Sequence, residues 1–245
     1  MADALRARHA FFVTGTDTEI GKTLVSSALL HAGVRRGLVC AGLKSVAAGA
    51  IARGGRLIND DVEQLRRASN VELPDDWYCP YVLRDATAPH IAAEAEGIAL
   101  DGNVIRAGYA RMAERADLVI VEGVGGFRVP LNDTFDTADL ARELGLPVIL
   151  VVGLRLGCIN HALLTAEAIL SRGLTLAGWV ANHVDSKLRH AEANIEAIAT
   201  RLPAPLIGRV PHLAHPDAVT ASGYLDLHPL MGDAVNDAPT TGAPH

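Results

Sequence analysis

The stretch HAFFVTGTDTEIGKTLVSSALL, His9 to Leu30, decides how the rest of the chain is read. Its first seven residues are apolar and partly β-branched, the pattern of a buried strand. Its last seven form an apolar helical segment. Between them lies GTDTEIGKT, Gly15 to Thr23, a glycine-bounded loop that runs from the strand into the helix. That context is what a phosphate cradle requires. Gly15 and Gly21 let the backbone curl so that its N–H groups point inward, and the helix amino terminus adds partial positive charge. Lys22 can then reach terminal phosphates and the Thr23 hydroxyl can ligate Mg²⁺. The commonest form of such a loop has four residues between its first glycine and the Gly-Lys pair; here five lie between Gly15 and Gly21.

Outward from this stretch the same alternation repeats. Further strands are expected at Leu38–Lys44, Asp117–Gly123, Pro147–Gly153 and Leu174–Asn182. Helices are expected at Lys22–Arg35, Val104–Arg115, Ala138–Leu144, Ile159–Arg172 and Leu188–Arg201, with a short one near Val62–Ala68. Near-continuous apolarity means that both faces of each strand are covered, as in a parallel sheet wrapped by helices. The expected fold is α/β: a single-domain, doubly wound, mostly parallel sheet with helices on both faces, of the P-loop NTPase kind. Ligands of such sheets bind at the carboxyl ends of the strands. The domain is expected over 9–228, between a flexible amino terminus (1–8) and a disordered tail (229–245) rich in small polar residues.

Composition excludes several classes. The 245 residues include 49% hydrophobic and 20% charged side chains, enough for a sizeable core. Twenty-two Lys and Arg against 28 Asp and Glu give a net charge of -6, without the basic excess that tracks nucleic acid. No apolar run approaches the roughly 20 residues of a membrane span, and the amino terminus has no signal core, so a soluble cytoplasmic protein is expected. Cys40, Cys79 and Cys158 share no metal-ligand spacing and read as reduced thiols. The only lysines are Lys22, Lys44 and Lys187, against 19 Arg. An ammonium is a compact point charge suited to a tight phosphate pocket, so each Lys is of interest.

Other positions carry possible chemistry. Glu122 ends the strand DLVIVEG, where a carboxylate beside a phosphate loop is placed to hold magnesium. Gly123, Gly125 and Gly126 permit close backbone approach to a ligand, although such a cluster is equally a tight turn. Asp60 and Asp61 open the short helix near Val62, where an acidic pair is more often a helix cap than a ligand. Lys44, at a strand end, reads by itself as readily as a solvated charge as a catalytic group.

Taken together, FFVTGTDTEIGKT, GLK followed by VAAG, TAPHIAA, VEGVGG with PLNDTF, LPVILVVGLRLGCINHALLT and LAGWVAN resemble the ATP-dependent dethiobiotin synthetase family over about Phe11 to Leu227. The resemblance implies a homodimeric cyclising C–N ligase of biotin biosynthesis. It takes 7,8-diaminononanoate, CO₂ and MgATP to dethiobiotin, ADP and phosphate, through a carbamate and a mixed carbamic-phosphoric anhydride. It further implies that Lys44 and Lys22 are catalytic, with Lys44 near the carbamate and the transferred phosphate. Glu19, Ile20, Gly21, Lys22, Thr23 and Leu24 would bind ATP, with Asp61, Glu122, Gly123, Val124 and Gly125. Thr23, Asp61 and Glu122 would gather around Mg²⁺. Asn182 would pair with the adenine edge, and His183 and the loop Val210, Pro211, His212 would complete the base pocket. Thr18 and Ala48 would face the diamine, and Gly157, Cys158, Ile159 and Asn160 of the other subunit would bind its distal carboxylate.

Three positions depart from the family pattern. Ser45 stands where the family usually has Pro, and Ala48 where it usually has a hydroxyl facing the substrate. Ala193 stands where some relatives carry an aromatic. A lost hydroxyl contact costs about 0.5 to 1.5 kcal/mol if water substitutes, so either Ser45 or water compensates or turnover is weakened. His90, within TAPHIAA, reads as structural rather than catalytic. Two other readings remain: a regulatory ATPase of the partition kind, and a weakened relative. Partition ATPases usually carry an additional lysine early in the loop, where this chain has Thr16, Asp17 and Thr18.

Overall fold

A computed structural model describes residues 7–232. The chain alternates strands and helices: β1 (His9–Gly15), α1 (Lys22–Arg35), β2 (Cys40–Lys44), β3 (Ile51–Arg53), β4 (Arg56–Ile58), α2 (Asp60–Ala68), α3 (Asp75–Tyr78), α4 (Pro89–Ala95), α5 (Gly102–Ala113), β5 (Leu118–Glu122), α6 (Thr137–Leu144), β6 (Val148–Gly153), α7 (Cys158–Ser171), β7 (Leu176–Asn182), α8 (Ala191–Ala199), β8 (Leu206–Val210), α9 (Ala218–Ser222) and α10 (His228–Met231). Six strands form one sheet in the order β2-β5-β1-β6-β7-β8, and every neighbouring pair is parallel. β3 and β4 make a separate antiparallel hairpin.

Strand alternation divides the interior into two layers. Phe12, Leu43, Val119, Val121 and Leu150 face one side, where Ile105 of α5, Leu140 of α6, Ile169 of α7 and Ile198 of α8 cover them. Phe11, Val13, Ile120, Ile149 and Val151 face the other, under Leu29 of α1, Leu65 of α2 and Ala221 of α9. Successive strand residues point to opposite faces, so an unbroken apolar run fills both layers. All strand carboxyl ends open on one edge of the sheet, and the loops there carry the phosphate-loop sequence.

Some boundaries differ from the sequence reading. β8 was not expected, because Arg209 and Gly208 interrupt its apolar run; Val210 therefore ends a strand rather than lying in a loop. α8 begins at Ala191 because His190 takes a left-handed conformation (φ 58°) that the helix cannot include. The tail read from 229 onward begins inside α10, and its remainder from 233, like residues 1–6 of the amino-terminal segment, lies outside the described residues.

Candidate active site

Strand register creates the charged centre. Lys44, the last residue of β2, pairs with Glu122, the last residue of β5, and Glu122 also lies beside Val13 of β1. Paired residues in register present their side chains to the same face, so the two charges are forced together. The Lys44 ammonium donates to Glu122 Oε1 at 2.6 Å and to Asp61 Oδ2 at 2.8 Å. The Thr23 hydroxyl donates to the same Glu122 Oε1 at 2.7 Å. Glu122 is fully buried and Lys44 only 3% exposed.

Asp61 reaches this centre because it is not the helix cap. Asn59 caps α2, its side-chain oxygen accepting from the backbone N–H groups of Asp61 and Val62. That frees the Asp61 carboxylate for Lys44. The Asn59 amide also donates to the Ala48 carbonyl at 3.1 Å, tying the β2–β3 connection to α2.

The phosphate loop is held from below. Ile20 is buried and packs under the strand tips, where a side chain on Gly153 would collide with it at 2.5 Å. Gly21 adopts φ 81°, and a Cβ there would lie 2.2 Å from the Asn182 amide, so the close approach requires glycine. That amide donates to the Ile20 carbonyl at 2.8 Å. α1 starts without a side-chain cap, leaving its first N–H groups available to an anion. Lys22 donates to the Asp17 carbonyl at 2.7 Å across the loop.

The ammonium groups differ in proton affinity. Burial first, and the charge of Lys44 second, lower Lys22 to about 8, against the pull of Glu122, Asp61 and Asp17. Burial would lower Lys44 as well, but the charges of Glu122 and Asp61 and its hydrogen bonds to both outweigh burial and raise it above the ordinary value. Burial would raise the Asp61 carboxyl, yet the charge and hydrogen bond of Lys44, with the charge of Lys22, hold it below the usual carboxylate range. The site thus keeps one firmly charged lysine against the carboxylates and one less firmly charged in the loop.

These residues line a cleft of about 870 Å³. Of the residues singled out in the sequence, Thr18, Glu19, Gly21, Lys22, Thr23, Leu24, Lys44, Ala48, Asp61, Val124 and Gly125 face it. Glu122, Ile20 and Gly123 lie behind its wall; Gly123 N–H donates to the Val13 carbonyl. A second group gathers at the ends of β7 and β8. His183 N–H donates to the Val210 carbonyl at 2.9 Å, and the His183 and His212 rings meet edge to face at 6.4 Å. Asn182 joins the two groups through Ile20. Gly157, Cys158, Ile159 and Asn160 begin α7 and do not line the cleft of their own chain; Cys158 is buried, so only its backbone is available to a ligand.

The cleft also takes in Gly126 of the glycine cluster read in the sequence, and Gln64, Ala86, Thr87, Ala88, Pro89, Val129 and Pro216, which sequence reading did not assign. The TAPHIAA motif carried a usable signal for Thr87 to Pro89, whereas nothing local marks Pro216. His90 does not face the cleft. Ser45 does not face it either. Its hydroxyl is fully buried without a hydrogen-bond partner, so it is not placed to replace the hydroxyl that Ala48 lacks.

The donor set fits a hard divalent cation. Glu122 Oε2 is buried and has no hydrogen-bond partner, a cost that a cation ligand would remove. Among the described residues no group of three or more His, Cys, Asp or Glu forms a metal cage. Two carboxylates and a hydroxyl suit Mg²⁺, which binds through one or two carboxylates together with substrate phosphates.

Comparison with known proteins supplies the family. Over 220 residues the chain is 59% identical to the ATP-dependent dethiobiotin synthetase BioD of Janthinobacterium sp. (strain Marseille), covering 88% of this chain and 93% of that protein. The chain belongs to the ATP-dependent dethiobiotin synthetase family. The BioD protein of Aromatoleum aromaticum is 57% identical over 219 residues, 89% of this chain and 97% of its own length. A family model described as an AAA domain matches residues 9–220. Among solved structures, a ParA family ATPase from Chlorobium tepidum aligns with TM-score 0.53 at 11% identity, over 89% of this chain and 90% of that one. The signal recognition particle 54 kDa protein of Aeropyrum pernix aligns with TM-score 0.50 at 17% identity, over 94% of this chain, which spans only 47% of that protein. These distant structures share the fold of this chain.

Proposed function

We infer that this chain is a ligase of biotin biosynthesis that forms dethiobiotin at the expense of ATP. The observation that carries the reading is the contact of Lys44 with Glu122, enforced by strand register, and with Asp61 of α2, on the wall of the cleft that the phosphate loop opens. The substrates proposed are 7,8-diaminononanoate and CO₂, one amine of the diamine forming a carbamate whose oxygen attacks the γ-phosphate. An anion then attacks an anion, so catalysis rests on positioning and on positive charge supplied to both. Lys22 and the free N–H groups at the start of α1 hold the triphosphate. Lys44 stands beside them, sharing Glu122 Oε1 with the Thr23 hydroxyl, its ammonium kept protonated by the carboxylates, where it can neutralise the carbamate and the phosphoryl group in transfer.

Thr23, Asp61 and Glu122 would hold Mg²⁺, which supplies charge to the phosphates. Asn182, whose amide also ties down the loop through the Ile20 carbonyl, would pair with the adenine edge, and His183, Val210, Pro211 and His212 would frame the base. Thr18, Ala48 and Thr87 face the diamine. Gly157 to Asn160 would serve the substrate carboxylate of a partner subunit in a homodimer. The exposure of Leu156 (93%), Leu164 (57%) and Leu170 (43%) on and just before α7 supports that surface as the contact. No described helix is long and apolar enough to cross a membrane; the proposed location is the cytoplasm, and the net charge of -6 argues against a nucleic-acid partner.

The test is ATP turnover with and without 7,8-diaminononanoate and bicarbonate, with the product identified by mass. Turnover that requires both and yields dethiobiotin is expected. Hydrolysis indifferent to the diamine would mark a switch ATPase instead.

A further inference from the structure

Arg155 lies in the connection from β6 to α7, outside every group discussed above, and its guanidinium forms an ion pair with the Asp17 carboxylate. Asp17 sits at the apex of the phosphate loop and lines the cleft. Three contacts converge on it. Its main-chain carbonyl accepts from Lys22 Nζ at 2.7 Å, one carboxylate oxygen accepts from the Thr18 N–H at 2.8 Å, and the other meets Arg155. The loop carries one residue more than the common phosphate loop, and Glu19 takes a left-handed conformation (φ 55°) within it, so its apex is not fixed by the loop's own backbone alone.

A carboxylate in this place is a hazard for an anion site. Lys22 already touches the Asp17 backbone, so the Asp17 side chain is an anion on the same loop that can compete with phosphate for that ammonium. We propose that Arg155 is a positioning residue for the nucleotide: by holding the Asp17 carboxylate away from the loop interior and cancelling its charge, it keeps Lys22 available to the triphosphate. The guanidinium suits the task because its planar fork fixes the direction of a carboxylate as well as its charge. Arg155 itself does not line the cleft, so it acts through Asp17 and not on the ligand.

The inference rests on the reading of the cleft as an ATP site, and binding tests the two separately. MgATP affinity is measured by calorimetry, without diamine, on the full chain and on Arg155→Ala, Asp17→Asn, the double variant and Arg155→Lys. Arg155→Ala is expected to bind MgATP about tenfold more weakly, the scale of one uncompensated charge at a partly exposed site. The double variant is expected to regain the parent affinity, because the offending charge is gone. Arg155→Lys is expected to fall between, keeping the charge but losing the fork. Both partners are about 40% exposed, so thermal unfolding of Arg155→Ala is expected to match the parent. A double variant as weak as Arg155→Ala, or Arg155→Ala binding as well as the parent, would overturn the inference. Failure of the parent chain itself to bind MgATP would instead count against the functional reading.

Discussion

Replacing Lys44 with Met tests the charged centre most directly. The substitution keeps the volume and removes the ammonium from between Glu122, which is fully buried, and Asp61, whose side chain is 41% exposed. Breaking a buried pair by deleting one partner costs about 3–5 kcal/mol, because the remaining charge is left uncompensated. Water reaches Asp61, so the lower end, about 3 kcal/mol, is expected. Urea unfolding of the chain in EDTA, at one fixed protein concentration, reads this as a lower midpoint with an unchanged slope. The sign with pH follows from Asp61, whose carboxyl is held below its ordinary 3.8. That stabilisation is complete above 3.8 and is lost as the pH falls through the lower folded-state value, so the gap between parent and variant should narrow in acid. Millimolar Mg²⁺ should restore part of the loss, since the same carboxylates would then hold another cation. A loss under about 1 kcal/mol near neutral pH would refute the claim that Lys44 is the buried counter-charge of this centre.

Other perturbations read other parts of the cleft. Lys22, lowered to about 8 chiefly by burial, is partly deprotonated in the free chain at pH 8.5; a bound triphosphate favours its charged form, so MgATP binding should take up protons between pH 8 and 10.5. Calorimetry in two buffers of different ionisation enthalpy measures that uptake. Gly21→Ala forces a side chain into the Asn182 amide at a left-handed backbone position and should abolish detectable MgATP binding while leaving the far-ultraviolet circular dichroism unchanged. Lys44→Gln should depress kcat by a hundredfold or more with a smaller change in ATP affinity, as expected of a group used mainly in the transition state; equal losses would make it a general nucleotide contact. Ala48→Ser should lower the KM for the diamine several-fold by restoring one hydrogen bond, and an unchanged KM would show that the missing hydroxyl is not felt.

Local chemistry made much of the molecule legible. Continuous apolar runs bounded by Gly, Pro or Asp specify strands covered on both faces, and GTDTEIGKT between a strand and a helix specifies an anion cradle whatever surrounds it. Both signals lie within a few residues of one another, where sequence spacing and spatial spacing are nearly the same thing. β8 escaped because Gly208 and Arg209 dilute its pattern, and its strand character comes from pairing with β7.

The electrostatic centre could not be read locally. Lys44 and Glu122 are 78 residues apart, and neither shows from its own neighbours that it meets the other; only the parallel register of β2 with β5 places their charges at 2.6 Å. Asp61 could have capped its own helix, and Asn59 taking that place released it. Asp17 and Arg155 meet across 138 residues because β1 and β6 are neighbours in the sheet. Sequence determined which elements form and where phosphate can bind, since those depend on near neighbours along the chain. Tertiary structure decided which charges face one another, since Coulomb energy depends on distance through space and on burial, and both are set only when the sheet is assembled.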